Sequence, residues 1–223
     1  AVLLVSLICG LVGTLVVGNR MAFFSDAMSH CAFAGVGLGV LITFLLGGTR
    51  QQGEFQWLIP LVMVSFGSLV GVSIEFVREK TGLASDTVIG VFFAGAIGFG
   101  AMLLTALGKR SSFNPEMFMF GSPLFVQPSD LIYLTVLLTL TALLLMWRYN
   151  QFVLGSFNAS LARSRNATLR FNNYCFILLL ALIVNFSIVA VGVLLINAML
   201  IVPAATASNL ARDLRRLFLY TVL

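Results

Sequence analysis

The sequence predicts an all-α fold, a polytopic bundle of about seven to eight membrane-spanning helices within residues 1–223. Three observations predict it. Of the 223 residues, 60% are hydrophobic and only 9% charged, whereas about a quarter of a soluble domain is charged. Mean hydropathy is +1.05. The apolar residues fall into blocks near the roughly 20 residues that a helix needs to cross a hydrocarbon core, and short polar clusters divide them. A soluble globule is excluded.

The elements follow in order. "AVLLVSLICGLVGTLVVG" makes a first span over 1–18, and Asn19 and Arg20 end it. The next spans are expected over 22–47, 57–76 and 87–107. Residues 108–130, "GKRSSFNPEMFMFGSPLFVQPSD", carry Pro115, Pro123 and Pro128 and read as a structured loop. A span over 131–147 precedes a second long polar connection, "RYNQFVLGSFNASLARSRNATLR", at 148–170. Two barely separated spans follow over 172–190 and 191–209, and an eighth begins near Leu217. Ala1 opens without methionine, charged leader or cleavage motif, and the sequence closes inside an apolar run, so a single domain cut at both ends is expected.

Threading these spans alternately places Arg20, Arg78, Lys80, Arg148, Arg163, Arg165, Arg170, Arg212, Arg215 and Arg216 on one side. Arg50, Lys109 and Arg110 fall on the other. The positive-inside rule makes the first side cytoplasmic. The net charge of +5 is therefore a topology signal that needs no nucleic acid as partner. Cys9, Cys31 and Cys175 form no CxxC pair and read as packing residues. The glycines of "GVGLGV" and "GAIGFG" suit close helix packing in lipid.

Chemistry concentrates in "SDAMSH", Ser25 to His30, which contains the only histidine. Residues i and i+4 share a helix face, so Asp26 and His30 can meet one ion. A carboxylate and an imidazole suit a divalent first-row metal such as Zn²⁺, Mn²⁺ or Fe²⁺ better than Mg²⁺ or Ca²⁺. Two ligands are too few for a closed structural site, which fits a carrier that must release its ion. The structural alternative stays open: Asp26 caps a helix starting near Ala27, and Ser29 and His30 hydrogen-bond between helices. Asp86 and Asp130 sit at expected helix starts and read as caps. Glu75 and Glu79 are expected to pair with Arg78 or Lys80 near the inner interface; Glu54 and Glu116 lie outside.

No engine is visible. Gly108 and Lys109 lack the upstream glycine of a phosphate-binding loop, Leu103 standing in its place, and no nucleophile elbow or HExxH motif occurs. The chain reads as a transporter component rather than an enzyme. The residues alone leave two further classes open: an ion-coupled secondary transporter using Asp26, and an intramembrane metallohydrolase, which lacks a third ligand and a base.

"NRMAFFSDAMSHCAFAGVGLG", "REKTGLASDTVIGVFFAGAIGFG", "MFGSPLFVQPSDL", "GSFNASLARSRN" and "VGVLLINAMLIVPAATA" resemble, in that order, successive segments of the zinc/manganese/iron permease family of ABC transporters. The resemblance implies a multi-pass permease of the bacterial cell membrane that moves Zn²⁺, Mn²⁺ or Fe²⁺ by alternating access. It also implies a second copy of the chain, cytoplasmic subunits that bind ATP, and an extracellular metal-binding protein. By position it places the ion on Asp26 and His30. It assigns the ATPase contact to 148–170, centred on Ser156, Phe157, Asn158, Ser160, Leu161 and Arg163. Pro203 is expected to break a helix beside the path.

Overall fold

The computed structural model describes residues 1–19, 21–46, 57–108, 119–121, 128–157, 169–211 and 213–222. They form eight helices and, among the described residues, no strand. In order these are α1 (Val2–Gly18), α2 (Phe24–Leu45), α3 (Leu58–Thr81), α4 (Ser85–Leu107), α5 (Pro128–Phe157), α6 (Leu169–Val191), α7 (Val193–Leu210) and α8 (Leu214–Val222). Helices α2 to α7 are long and apolar enough to cross a membrane, while α1 is apolar but 17 residues long. The polytopic helical fold predicted from composition is present. Glu54, Glu116 and most of the 108–130 connection lie outside the described residues.

Several boundaries differ from the sequence reading for local reasons. The α5 helix does not stop near residue 147 but continues ten residues to Phe157, because "RYNQFVLGSF" is polar at intervals yet contains no helix breaker before Gly155. The α3 helix ends where Gly82 takes the left-handed conformation, φ +66°, after Arg78 and Lys80 in the last turn. Pro203 does not break its helix. The α7 helix runs through it; proline costs one backbone hydrogen bond but is tolerated in membrane helices whose neighbours satisfy the freed group. The interruption falls instead at Gly192, φ +82°, between α6 and α7.

That break is covered by backbone. Gly121, also left-handed at φ +72°, lies directly against it. A Cβ on Gly121 would collide with the carbonyl carbon of Val191 and the nitrogen of Gly192, and one on Gly192 would collide with Gly121. Conformation and space both exclude a side chain at these two positions. Gly121 is thereby pinned on the α6–α7 turn.

Among the described basic side chains, Arg78, Arg148 and Arg170 tie helix ends together. Arg78 donates to Glu75 Oε1 at 2.6 Å and to Ser85 Oγ at 3.2 Å, and its guanidinium lies 3.9 Å from Met21 Sδ, so it joins α3 and α4 to the α1–α2 turn. Glu79 pairs with Arg170 at 2.6 Å and accepts from Tyr174 Oη at 3.1 Å, rather than pairing with Arg78 or Lys80 as expected. The reason is topological: α6 starts beside the end of α3. Arg148 donates to Gln151 and Asn172 at 2.7 and 2.8 Å, which ties α5 to α6.

Lipid supplies no hydrophobic drive for helix association, so packing must come from shape and polar contacts. Helix α6 is the central post, with 67% of its apolar window buried against 22% for α5 at the periphery. Helices α2 and α3 approach through glycine. A Cβ at Gly35 would come within 2.8 Å of Met63 Cα, and one at Gly39 within 3.0 Å of Ile59 Cα. Gly100 and Gly37 bring α4 against α2 in the same way, whereas a Cβ on Gly95 or Gly98 would meet nothing within 4 Å among the described residues. The packing expectation thus holds for "GVGLGV" and only in part for "GAIGFG". Cys9 and Cys31 are buried and all three cysteines are free, as packing residues. Many hydroxyls bond within their own helices, as Ser29 Oγ to the Ser25 carbonyl at 2.8 Å and Thr141 Oγ1 to that of Leu137 at 2.7 Å, whereas the buried Ser25 Oγ and Ser187 Oγ have no partner among the described residues.

Two outcomes follow from this packing. Gly35→Ala forces a methyl into the Met63 backbone and is expected to cost about 1–3 kcal/mol, seen as a lower thermal midpoint of the purified protein; Gly90→Ala, with open space around it, leaves the midpoint unchanged or raises it. Arg78→Met strands the buried Glu75 carboxylate, 4% exposed, at an expected cost of about 3–5 kcal/mol. Adding Glu75→Gln to Arg78→Met should recover most of that loss in the same thermal assay.

Candidate metal-transit site

Asp26 lies in the first turn of α2 and His30 one turn further on. His30 Nε2 stands 4.0 Å from Asp26 Oδ1, and the two side chains are 38% and 41% exposed respectively. The pair therefore shares one face, as the spacing requires, and that face is open in the single chain. The helix begins at Phe24 and no side chain caps its N-cap, Phe23. Capping is accordingly not what Asp26 does. Its Oδ1 accepts instead from Asn197 Nδ2 at 2.9 Å, across 171 residues of sequence.

Three helices build this corner. From α4, Phe93 sets its ring 4.9 Å from the imidazole of His30 at 88°, an edge-to-face contact that holds the ring orientation. From α7, Asn197 fixes Asp26. The other oxygen of that amide, Oδ1, is buried with no hydrogen-bond partner in the chain. Cys31, adjacent to His30 in sequence, is fully buried in the apolar core and is not part of the open face. Among the described residues no cluster of three or more His, Cys, Asp or Glu side chains could close around a metal ion. One chain thus offers one carboxylate, one imidazole and one amide.

Asn197 escaped the sequence reading, which stopped at Pro203 in the same block. The available signal was an amide alone in the apolar run "VLLINAML", since a polar group at membrane depth is a functional candidate by default. Its partner could not be read, because nothing local links α7 to the first turn of α2. Asp86 and Asp130 have local roles. They lie in the first turns of α4 and α5, where a carboxylate meets the positive end of the helix dipole, although no side-chain hydrogen bond caps α4 at Ala84.

The segment expected to meet an ATPase is described in part. Ser156 and Phe157 form the last residues of α5; Asn158, Ser160, Leu161 and Arg163 lie outside the described residues. The stretch is anchored on both flanks. Arg148 and Gln151 on α5 and Asn172 on α6 form a closed ring of hydrogen bonds, with Asn172 Nδ2 donating to Gln151 Oε1 at 2.9 Å. Arg148 also lies over the rings of Trp147 and Phe171, at 5.2 and 5.4 Å.

Comparison with known proteins agrees with this arrangement. The family model described as "ABC 3 transport family" matches residues 1–223. The manganese transport system membrane protein MntC of Listeria innocua is 29% identical over 215 residues, covering 96% of this chain and 71% of that protein. The manganese import system permease protein ScaB of Streptococcus gordonii is 30% identical over 217 residues, covering 97% and 73%. A probable iron transport system membrane protein of Haemophilus influenzae is 27% identical over 213 residues, covering 95% and 72%. Among solved structures, PsaBC from Streptococcus pneumoniae in complex with Fab superposes with a TM-score of 0.75 at 28% identity, covering 99% of this chain and 74% of that one. A whole-length family match, six long apolar helices and relatives of this kind place the chain in the ABC 3 transport family, as a multi-pass membrane permease component.

Proposed function

We propose that the chain is the permease subunit of an ATP-driven importer of a divalent first-row metal ion, with Mn²⁺ as its substrate and Fe²⁺ as the nearest competitor. The observation that carries this reading is the Asp26–His30 pair, on one helix face and about 40% exposed. A carboxylate with an imidazole is a borderline donor set suited to such ions. Relatives named for manganese and for iron transport support the choice of metal. Zn²⁺ is the member of the expected trio that no relative cited here is named for.

Two protein ligands from one chain leave a transition-metal ion under-coordinated. In this reading a second copy of the permease supplies its own Asp26 and His30, and the open faces of the two copies meet on the ion. ATP-binding subunits grip the 148–170 stretch. Their closure moves α5 and α6 through the Arg148–Gln151–Asn172 ring, and so switches the path between outward and inward access. An extracellular metal-binding protein delivers the ion. ATP is consumed on the partner subunits, and the ion is cargo rather than a resident cofactor.

The test is uptake of radiolabelled manganese in cells lacking their own importers and expressing the full permease with its ATP-binding subunits. Asp26→Ala with His30→Ala should lower uptake at least tenfold at normal expression, and unchanged uptake would overturn the site. Uptake that persists when the ATP-binding subunit is deleted would point instead to ion-coupled secondary transport.

A further inference from the structure

We propose that Asn197 is a metal-sensing ligand that swaps its amide nitrogen for its amide oxygen when the ion arrives, and that this oxygen biases the site toward a hard divalent ion. The proposal deepens the metal-permease reading and rests on it. In the chain as described, Asn197 Nδ2 donates to Asp26 Oδ1 at 2.9 Å. An ionised carboxylate only accepts, so the amide must present its NH₂ group to it. The carbonyl oxygen is thereby turned away, and it is buried without a partner.

A buried carbonyl left unpaired costs on the order of the desolvation of one polar group; Ser25 Oγ, Glu75 Oε2, Asn185 Oδ1 and Ser187 Oγ are also buried and unpartnered, but of the five only Asn197 Oδ1 belongs to a group that already bonds Asp26. Rotation about the last side-chain torsion of asparagine, which is broad and roughly two-fold, exchanges the two ends of the amide in place. A cation beside Asp26 reverses which end is favoured there. It repels the NH₂ hydrogens, which carry partial positive charge, and attracts the carbonyl dipole. The ion would then hold a carboxylate oxygen and an amide oxygen from two helices, α2 and α7, together with the imidazole that Phe93 orients.

The chemistry of the added donor sets the preference. Carbonyl and carboxylate oxygens suit Mn²⁺, whereas imidazole and thiolate favour later first-row metals and Zn²⁺. The sulfur beside the site is withheld, since Cys31 is fully buried in the core. Asn197 also lies one turn beyond the Gly192 break that Gly121 covers. Ligation there would tie the state of the ion to the segment of α7 that follows the turn.

The experiment uses the full permease with its ATP-binding subunits in lipid nanodiscs, and titrates Mn²⁺ by the loss of its free-ion paramagnetic resonance signal and Zn²⁺ by competition. Asn197→Ala should weaken Mn²⁺ binding about 10- to 100-fold, the range for loss of a partner next to a metal ligand. Zn²⁺ binding should change by less than about threefold, so that the Mn²⁺/Zn²⁺ ratio falls with it. Asn197→Asp, which keeps an oxygen but cannot donate to Asp26, should retain Mn²⁺ binding. Electron-nuclear double resonance on unmutated protein carrying carbon-13 asparagine reads the ligand without a variant, and a carbon-13 coupling to bound Mn²⁺ is expected. Absence of that coupling, equal weakening for both metals in Asn197→Ala, or an Asn197→Asp variant as weak as Asn197→Ala each overturns the proposal. Asp26→Ala with His30→Ala serves as the control: if that protein still binds Mn²⁺, the metal-permease reading itself is wrong, whereas an inert Asn197 leaves it standing.

Discussion

The hydrogen bond between Asp26 and Asn197 is the constraint on which the rest of the molecule turns. Asp26 lies in the first turn of α2 with its side chain 41% exposed, and a hydrogen bond to a charged group contributes about 1.5–3 kcal/mol. The single amide contact from Asn197 therefore holds the carboxylate in place but leaves it under-satisfied. A fully satisfied carboxylate would have little reason to receive a cation. Asp26, held by one amide and open on its other side, keeps room for one.

The remaining architecture holds α2 and α7 where that bond can form. Glycines at 35 and 39 bring the backbone of α2 onto α3, and Gly13 lets α1 approach the Leu200 carbonyl of α7. Arg78 binds the α1–α2 turn to the start of α4 through Met21 and Ser85, so the first turn of α2, which bears Asp26, begins from a braced point. Gly121 rests on Gly192. The site is thus framed by backbone contact and by a guanidinium network.

How much of this was legible in the sequence depends on the range of the interaction. Hydropathy places the spans because each helix meets lipid on its own, and the i,i+4 rule brings Asp26 and His30 together because both lie on one helix. Alternate threading assigns most basic side chains to one side by the same local logic. Long-range partners were not readable: Glu79 joins Arg170, and Asp26 joins Asn197, only because of how distant helices are docked. Backbone breaks were half legible. Pro203 and Gly192 both look like interruptions, but an N–H lost inside a helix is tolerated, whereas a left-handed φ of +82° ends one. Helix α5 outran its apolar block because a helix leaving the membrane needs only an absence of breakers, not hydrophobicity.

A transporter's site differs from a structural metal site in needing a low barrier to release as well as a place to bind. A closed tetrahedron of charged ligands would hold a first-row ion against any conformational change that a few kcal/mol could drive. The corner formed by Asp26, His30 and Asn197 carries one full negative charge per chain, and its third donor is neutral. A neutral amide adds directional preference among metals without the Coulomb attraction that would trap them. In the proposed site it stands on α7, while the carboxylate and the imidazole stand on α2. Any displacement of α7 relative to α2 therefore removes one donor and leaves Asp26 to find another partner. In the proposed site, affinity would be set by the relative position of two helices, the quantity that the proposed alternating access would change.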